Sequence, residues 1–193
     1  MDTKTTEEIY NRTFGGLTLY YRDIDLSDEL ISKYEIGKII CERGFTDMSF
    51  KGGGLLTNCR YLIASASAKD LTSLNPSAEE FGHAVLRSNS YFKVLDIYKI
   101  QDKTQVLLLS ILEGTVEFFA STKSNLEDDV IAKARESFNS KLNMQPVLAT
   151  QHKEWVERMS FPLGMDDKGV FFSQIKGNAN DGIGLKRAWW KFW

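Results

Sequence analysis

Residues 91–112 constrain the fold of this chain more than any other stretch. Two apolar runs, 91–100 and 104–112, flank a short polar turn at 101–103. Runs rich in branched and aromatic residues around such a turn predict a β-hairpin. Positions 106–109 are all apolar, so this strand is expected to lie in the middle of a sheet with both faces covered.

Three charged residues interrupt the hairpin: Lys93, Asp96 and Lys99. Charges in an otherwise apolar strand commonly protect a sheet edge against pairing with another chain. The first strand of the hairpin is therefore predicted to lie at an edge.

Helices and further strands are predicted on both sides of the hairpin. Residues 115–120 are expected to add a third strand, which makes a meander, and shorter strands are expected at 17–21, 60–65 and 170–172. Helices are expected at 7–13, 27–44, 75–89, 124–142 and 152–159. The predicted fold class is α+β, an antiparallel sheet around residues 91–120 with helices packed on it, plus a C-terminal tail.

The end of the chain is unusually rich in tryptophan. Three of the four tryptophans fall in the last five residues, after a glycine- and asparagine-rich stretch at 176–184. Burial of one such ring removes about 150–250 Å² from water, which favours docking of the tail on some surface. The predicted organisation is a single domain at 1–175, a flexible linker at 176–184 and an aromatic-basic tail at 185–193.

The tail carries the main functional prediction, a non-enzymatic interaction or assembly protein. Aromatic and basic side chains dominate the energetics of protein interfaces, so the tail is expected to bind a protein partner or a second copy of the chain. A membrane surface is an alternative partner, because tryptophan and cationic residues prefer the bilayer interface. The residues proposed to make these contacts are Lys186, Arg187, Trp189, Trp190, Lys191, Phe192 and Trp193.

A glycine run supplies the rival prediction, an enzyme or a ligand-binding domain for an anionic small molecule. Gly52, Gly53 and Gly54 follow Lys51, and Arg60 lies a few residues further on. Successive backbone N–H groups of such a loop can cradle a phosphate, and the two cations would assist. The spacing matches neither a P-loop nor GxGxxG, so a tight structural connection is the competing explanation.

Recognised catalytic and metal-binding patterns are missing from the sequence. His83 and His152 lie in no HxxxH or HExxH arrangement, and Cys41 and Cys59 lack zinc or redox spacing. No catalytic residue, cofactor or metal is predicted, and the sequence leans away from an enzyme. The body of the chain is acidic, which argues against nucleic acid as a partner.

The expected compartment is the cytoplasm. The first residues lack the apolar run of a secretory signal, and no stretch approaches the roughly 18 apolar residues of a spanning helix. Two buried free thiols fit a reducing compartment.

Overall fold

A computed structural model describes residues 2–173, which form one mixed sheet with helices packed on its faces. The strands of this part of the chain are β1 (Thr18–Ile24), β2 (Ile39–Glu42), β3 (Thr46–Ser49), β4 (Cys59–Ser65), β5 (Lys69–Asp70), β6 (His83–Leu86), β7 (Ser90–Ile100) and β8 (Lys103–Ile111). Its helices are α1 (Thr3–Phe14), α2 (Asp28–Ile31), α3 (Ser77–Phe81), α4 (Val116–Ser121), α5 (Asn125–Lys141) and α6 (Lys153–Met159). Single 3₁₀ turns lie at Glu113–Thr115 and Leu148–Gln151.

The sheet is mostly antiparallel, in the strand order β2-β7-β8-β4-β1-β3-β6-β5. One neighbouring pair, β4 and β8, runs parallel. The predicted α+β class is confirmed, whereas the prediction of a purely antiparallel sheet is wrong. Parallel pairing arises because β4 meets a strand that lies far along the chain, after a crossover through β5 to β7.

The predicted hairpin is confirmed as β7 and β8. Its register runs from Tyr91 opposite Ile111 to Ile100 opposite Lys103, and Gln101 turns the chain with a φ of 54°. Residues 106–109 are completely buried, as their apolar character predicted. This strand lies between β7 and β4, with side chains in both cores of the domain.

Two hydrophobic clusters cover the two faces of the sheet. One contains Tyr34, Tyr61 and Met165, and the segment after α6 closes it. The other contains Phe119 and Ala134 and receives helices α1, α4 and α5. Full burial of one such large side chain contributes about 1.5–3 kcal/mol, so the two clusters hold the sheet together from both sides.

The helix predicted at 27–44 is much shorter in the structure. The side chain of Ser27 caps it as expected, accepting a hydrogen bond of 3.3 Å from the Leu30 N–H, but α2 ends at Ile31. Gly37 then adopts a φ of 86°, and β2 pairs with β7. The helix thus ends six residues before this glycine, which lies in a turn closed by a hydrogen bond of 3.0 Å from the Lys38 N–H to the Glu35 carbonyl. The branched residues after the turn favour a strand.

The helix predicted at 75–89 also divides into a helix and a strand. Helix α3 stops at Phe81, because Gly82 takes a left-handed conformation with a φ of 60°. The following residues form β6, which pairs with β3. His83 therefore lies on a strand and not in the middle of a helix.

Two of the predicted strands are wrong. Residues 115–120 are largely helix α4, because β8 already has β7 on one side and β4 on the other and offers no free edge for a meander. The strand predicted at 170–172 is reduced to a single bridge between Met165 and Phe171. The strands near 17–21 and 60–65, and the helices near 7–13, 124–142 and 152–159, are confirmed.

Strand β7 is not a sheet edge, so the explanation predicted for its charges is wrong. It lies between β2 and β8. Lys93 instead forms a buried ion pair with Glu127, and Asp96 forms one with Arg135. Both partners lie on α5, so these charges fix the helix to the sheet.

The linker predicted at 176–184 and the tail at 185–193 lie outside the described residues. Within 2–173, no helix combines the length and the apolar character that crossing a bilayer requires.

Candidate functional site

A cleft opens where β1 and β3 diverge. The two strands are neighbours in the sheet, yet they share one paired position, Tyr21 opposite Ser49. The gap leads into a cavity of about 170 Å³, bounded by β1, by residues 51–54 and by residues 147–160. The predicted glycine loop thus forms one wall of a concave site.

The glycines of this wall allow other backbone to approach closely. A Cβ on Gly52 would overlap the ring of Tyr21, and one on Gly54 would overlap the Met144 carbonyl oxygen. A Cβ on Gly53 would lie 2.7 Å from the Gln145 carbonyl oxygen. Close packing therefore explains why glycine stands at these three positions.

Lys51 lines the cavity with part of its hydrogen-bonding capacity unused. Its ammonium group donates to the carbonyls of Glu79 and Glu80, at 2.6 and 3.1 Å. An ammonium has three donors, so one remains for a ligand. The N–H groups of Gly52 and Gly53 have no acceptor within residues 2–173, whereas that of Gly54 donates to Gln145.

Arg60 does not reach the cavity, although the sequence analysis grouped it with Lys51. Its guanidinium group is buried and binds both carboxylate oxygens of Asp23, at 2.7 and 2.8 Å. It also donates to the Gly53 carbonyl at 3.0 Å. Arg60 therefore holds Asp23 and the glycine loop in position without lining the cavity itself.

Two carboxylates lie on the β1 side of the cavity, and the sequence analysis singled out neither of them. Asp23 is neutralised by Arg60, while Asp25 accepts a hydrogen bond of 2.9 Å from the Asn58 N–H. Ionised carboxylates accept hydrogen bonds and do not donate them. This wall suits the hydroxyl groups of a ligand.

Polar side chains lie just behind the cavity-lining residues Met159 and Trp155, and we call this group, Arg22 with Asp47 and His83, the floor of the cleft. Arg22 donates to the carbonyl of Asp47 at 3.0 Å, to the sulfur of Met159 at 3.2 Å and to the carbonyl of Phe161 at 3.1 Å. Its Nε atom has no partner within the described residues. Burial lowers the pKa of Arg22, and the nearby charges of Asp47 and Glu42 oppose that shift.

Asp47 and His83 form a second polar group on the same floor. The Nε2 atom of His83 lies 2.7 Å from a carboxylate oxygen of Asp47, and Arg158 approaches the same oxygen at 3.5 Å. Trp155 covers the histidine edge-on, with 5.2 Å between ring centroids, and Phe81 stacks on the same indole with centroids 5.0 Å apart. No role was predicted for His83, because it lies in no HxxxH or HExxH arrangement and was expected within a helix.

The other chemically interesting side chains lie away from this floor or are inert. His152 is exposed and packs against Phe81. Cys41 and Cys59 are buried free thiols, and burial raises the pKa of Cys59 to about 12. In the part of the chain that the structure describes, no three His, Cys, Asp or Glu side chains are grouped closely enough to hold a metal ion.

No family model and no curated protein matches the chain. Solved structures share part of the fold. XopAI, a type III effector from Xanthomonas axonopodis pv. citri, aligns with a TM-score of 0.43 and 13% identity over 49% of this chain and 41% of its own. The ADP-ribosyltransferase HopU1 of Pseudomonas syringae gives 0.43 and 17% over 49% and 46%. Vis, an ADP-ribosyltransferase from Vibrio splendidus, gives 0.42 and 14% over 52% and 51%.

These neighbours correct the main functional prediction. HopU1 and Vis are enzymes by name, which contradicts the prediction of a non-enzymatic interaction or assembly protein that forms homo-oligomers. The docking contacts predicted for residues 185–193 lie outside the described residues and stay a prediction. The alternative prediction, an enzyme or ligand-binding domain, agrees better with them. Another neighbour, exoenzyme S from Pseudomonas aeruginosa, was solved in complex with human 14-3-3 protein beta.

The matched region spans about half the length of these structures or less. At such TM-scores the likeness adds no argument about chemistry. What the cleft can bind is therefore inferred from its own side chains.

Proposed function

We propose that the cleft between β1 and β3 binds a small anionic molecule, and that the protein is an enzyme or a ligand-binding domain for it. The observation that carries this proposal is that unused hydrogen-bond donors line one wall of the cavity. Lys51, with a spare donor, and Gly53, with an unused backbone N–H, line the same cavity. Charge-assisted hydrogen bonds from such donors favour phosphate or carboxylate oxygens.

The carboxylates on the β1 side of the cavity narrow the class of ligand. Asp23 and Asp25 supply carboxylate oxygens, which accept hydrogen bonds from hydroxyl groups. Arg60 cancels the charge of Asp23, so the wall repels an anion less than two free carboxylates would. A molecule that carries both a phosphate and hydroxyl groups satisfies both sets of cavity groups.

The remaining walls are aromatic and apolar. Tyr21 and Trp155 line the cavity together with Val147. Such surfaces suit a flat ring or a sugar face, while the polar groups orient the ligand. We therefore propose a phosphorylated riboside, the class that includes nucleotides.

Binding titrations test this proposal with defined probes. HopU1 and Vis are named ADP-ribosyltransferases, and exoenzyme S was solved with carba-NAD, so NAD and ADP-ribose are suitable first probes. Ribose 5-phosphate and ribose form a matched pair that differs in the phosphate. Calorimetry at low and high salt measures the affinity and its electrostatic part.

Lys51→Met tests the role of the ammonium group, because methionine has a side chain of similar length and no charge. We expect it to weaken binding about tenfold, the effect of one charge-assisted hydrogen bond on an accessible site. Lys133→Met on the exposed face of α5 is the matched control and should bind like the wild type. Equal binding of ribose and ribose 5-phosphate, or no effect of Lys51→Met, would refute the proposed anion site.

A further inference from the structure

We propose that α6 and the turn before it form an intramolecular cover over the cleft, which the ligand must displace. This cover consists of residues 147–161. The inference rests on the proposed function of the cleft and adds a regulatory step to it. In the closed state, residues of the cover bind Arg22, so this arginine does not contact a ligand in the cavity.

Met159 is the side chain that separates the cavity from Arg22. Its side chain lines the cavity, and its sulfur accepts a hydrogen bond of 3.2 Å from a guanidinium nitrogen. The carbonyls of Met159 and Phe161 accept two more, at 3.4 and 3.1 Å. Residues of the cover therefore act as the acceptors that an anion would otherwise provide.

These contacts are weak for a buried guanidinium group. A thioether is a poor acceptor, and neutral carbonyls bind an arginine less strongly than an anion does. The Nε atom of Arg22 still lacks a partner within residues 2–173. An incoming anion would supply this guanidinium group with stronger acceptors than the cover does.

The cover has few buried side chains, so it can detach from the sheet while the rest of the domain stays folded. Helix α6 has seven residues, too few for a helix that is stable by itself, and Trp155 and Met159 are its buried side chains. Leu148 and Val156, by contrast, are 81% and 49% exposed. Short elements with few buried contacts open at a lower cost than the sheet they rest on.

The closed cavity is too small for the proposed ligand class. Its volume is about 170 Å³, whereas pockets for drug-sized ligands span about 300–1,000 Å³. Removing Trp155 and Met159 from above the floor would join the cavity to Arg22 and to the Asp47–His83 pair. The open cleft would then hold a whole nucleotide.

Truncation of the buried anchor tests the cover. Trp155→Ala removes its largest contact, and Glu154→Ala is the matched control, because this neighbouring side chain is exposed on the same helix. A ligand that binds only the open state gains affinity in proportion to the open population, and we expect about tenfold tighter binding of ADP-ribose by Trp155→Ala. Adding Arg22→Gln to that variant should abolish the gain.

Tryptophan fluorescence provides a second measurement that needs no destabilised variant. Replacing Trp189, Trp190 and Trp193 by phenylalanine leaves Trp155 as the sole tryptophan of the full-length chain. Acrylamide should quench this buried ring weakly in the free protein and more strongly after ADP-ribose is added. Unchanged quenching at saturating ligand would overturn the cover.

The outcomes separate the cover from the proposed function. If binding depends on Lys51 but is equal in Trp155→Ala and Glu154→Ala, the cover is refuted and the anion site stands. If none of the variants binds any probe, both are refuted. Should Trp155→Ala fail to fold, the fluorescence measurement decides.

Discussion

The side chains of Asp47 on β3 and His83 on β6 meet diagonally across the strand pair and hold a third element in place. A carboxylate oxygen of Asp47 lies 2.7 Å from Nε2 of His83 and 3.5 Å from Arg158 on α6. The side chains of Asp47 and His83 are 6% and 12% exposed. A single buried carboxylate thus joins two strands to the helix that closes the cleft.

Replacing Asp47 by alanine should lower the free energy of unfolding by about 2 kcal/mol. The change leaves His83 and Arg158 without their acceptor, and an unpaired, largely buried polar group costs about 1–3 kcal/mol. Urea unfolding followed by circular dichroism measures the difference.

Asp128→Ala is the control for this prediction. Asp128 forms an ion pair with Lys123, but both side chains are more than half exposed. Exposed pairs contribute about 0–1 kcal/mol, so the control should be nearly neutral. Equal losses in the two variants would show that the Asp47 network adds nothing particular to stability.

Local patterns were sufficient to predict the centre of the fold. Two apolar runs around a polar turn predicted the hairpin. Apolar residues at every fourth position after a Ser124 cap predicted α5. Both signals depend on residues that are close in the chain. The glycine loop was found in the same way, and it does form a wall of the cavity.

The floor of the cleft was missed because nonlocal pairing creates it. Helix α2 ends at Ile31 and α3 at Phe81, and the left-handed residues Gly37 and Gly82 precede β2 and β6. No residue nearby in the chain predicts where these strands will pair. His83 becomes a site residue only after β6 lies beside β3. Arg60 was misassigned for a related reason, because its partner Asp23 comes from another strand.

Breaking the buried ion pair between Lys93 and Glu127 should strongly destabilise the protein. The ammonium nitrogen lies 3.0 and 3.1 Å from the two carboxylate oxygens, and the side chains are 7% and 3% exposed. Glu127→Ala leaves an uncompensated buried cation, which costs about 3–5 kcal/mol.

A double-mutant cycle separates the stabilisation by the ion pair from the cost of leaving one buried charge unpaired. Lys93→Met combined with Glu127→Leu removes both charges and fills the space, so we expect the double variant to be more stable than Glu127→Ala. Unfolding in urea measures all the variants. A double variant no more stable than Glu127→Ala would show that packing, not the unpaired charge, sets the loss.

Gly54→Ala should destabilise the wall of the cleft. The added Cβ would overlap the Met144 carbonyl oxygen, which is main chain and cannot rotate away, so residues 144–147 must shift. Overpacking of this kind costs about 1–3 kcal/mol. Gly114→Ala is the control, since its Cβ meets nothing within 4 Å and its φ is not positive; a similar loss in both variants would contradict the argument from close approach.

The stability of the protein should fall as the pH rises above about 9, in part because of Cys59. Burial raises the pKa of this thiol from 9.0 to about 12, with smaller contributions from Asp23 and Asp25. Between these two values the unfolded chain has lost the thiol proton and the folded protein retains it, so raising the pH favours unfolding. The loss is at most about 1.4 kcal/mol per pH unit for one group in this window.

Cys59→Ala isolates this contribution from those of other buried groups. Its own loss of stability is constant below pH 8, whereas above pH 9 its unfolding free energy should decline less steeply than that of the wild type. Urea unfolding midpoints from pH 7 to pH 11 measure the two slopes. Parallel curves throughout would mean that Cys59 ionises in the folded protein as readily as in the unfolded chain, and its burial on β4, between β1 and β8, would then have no electrostatic consequence.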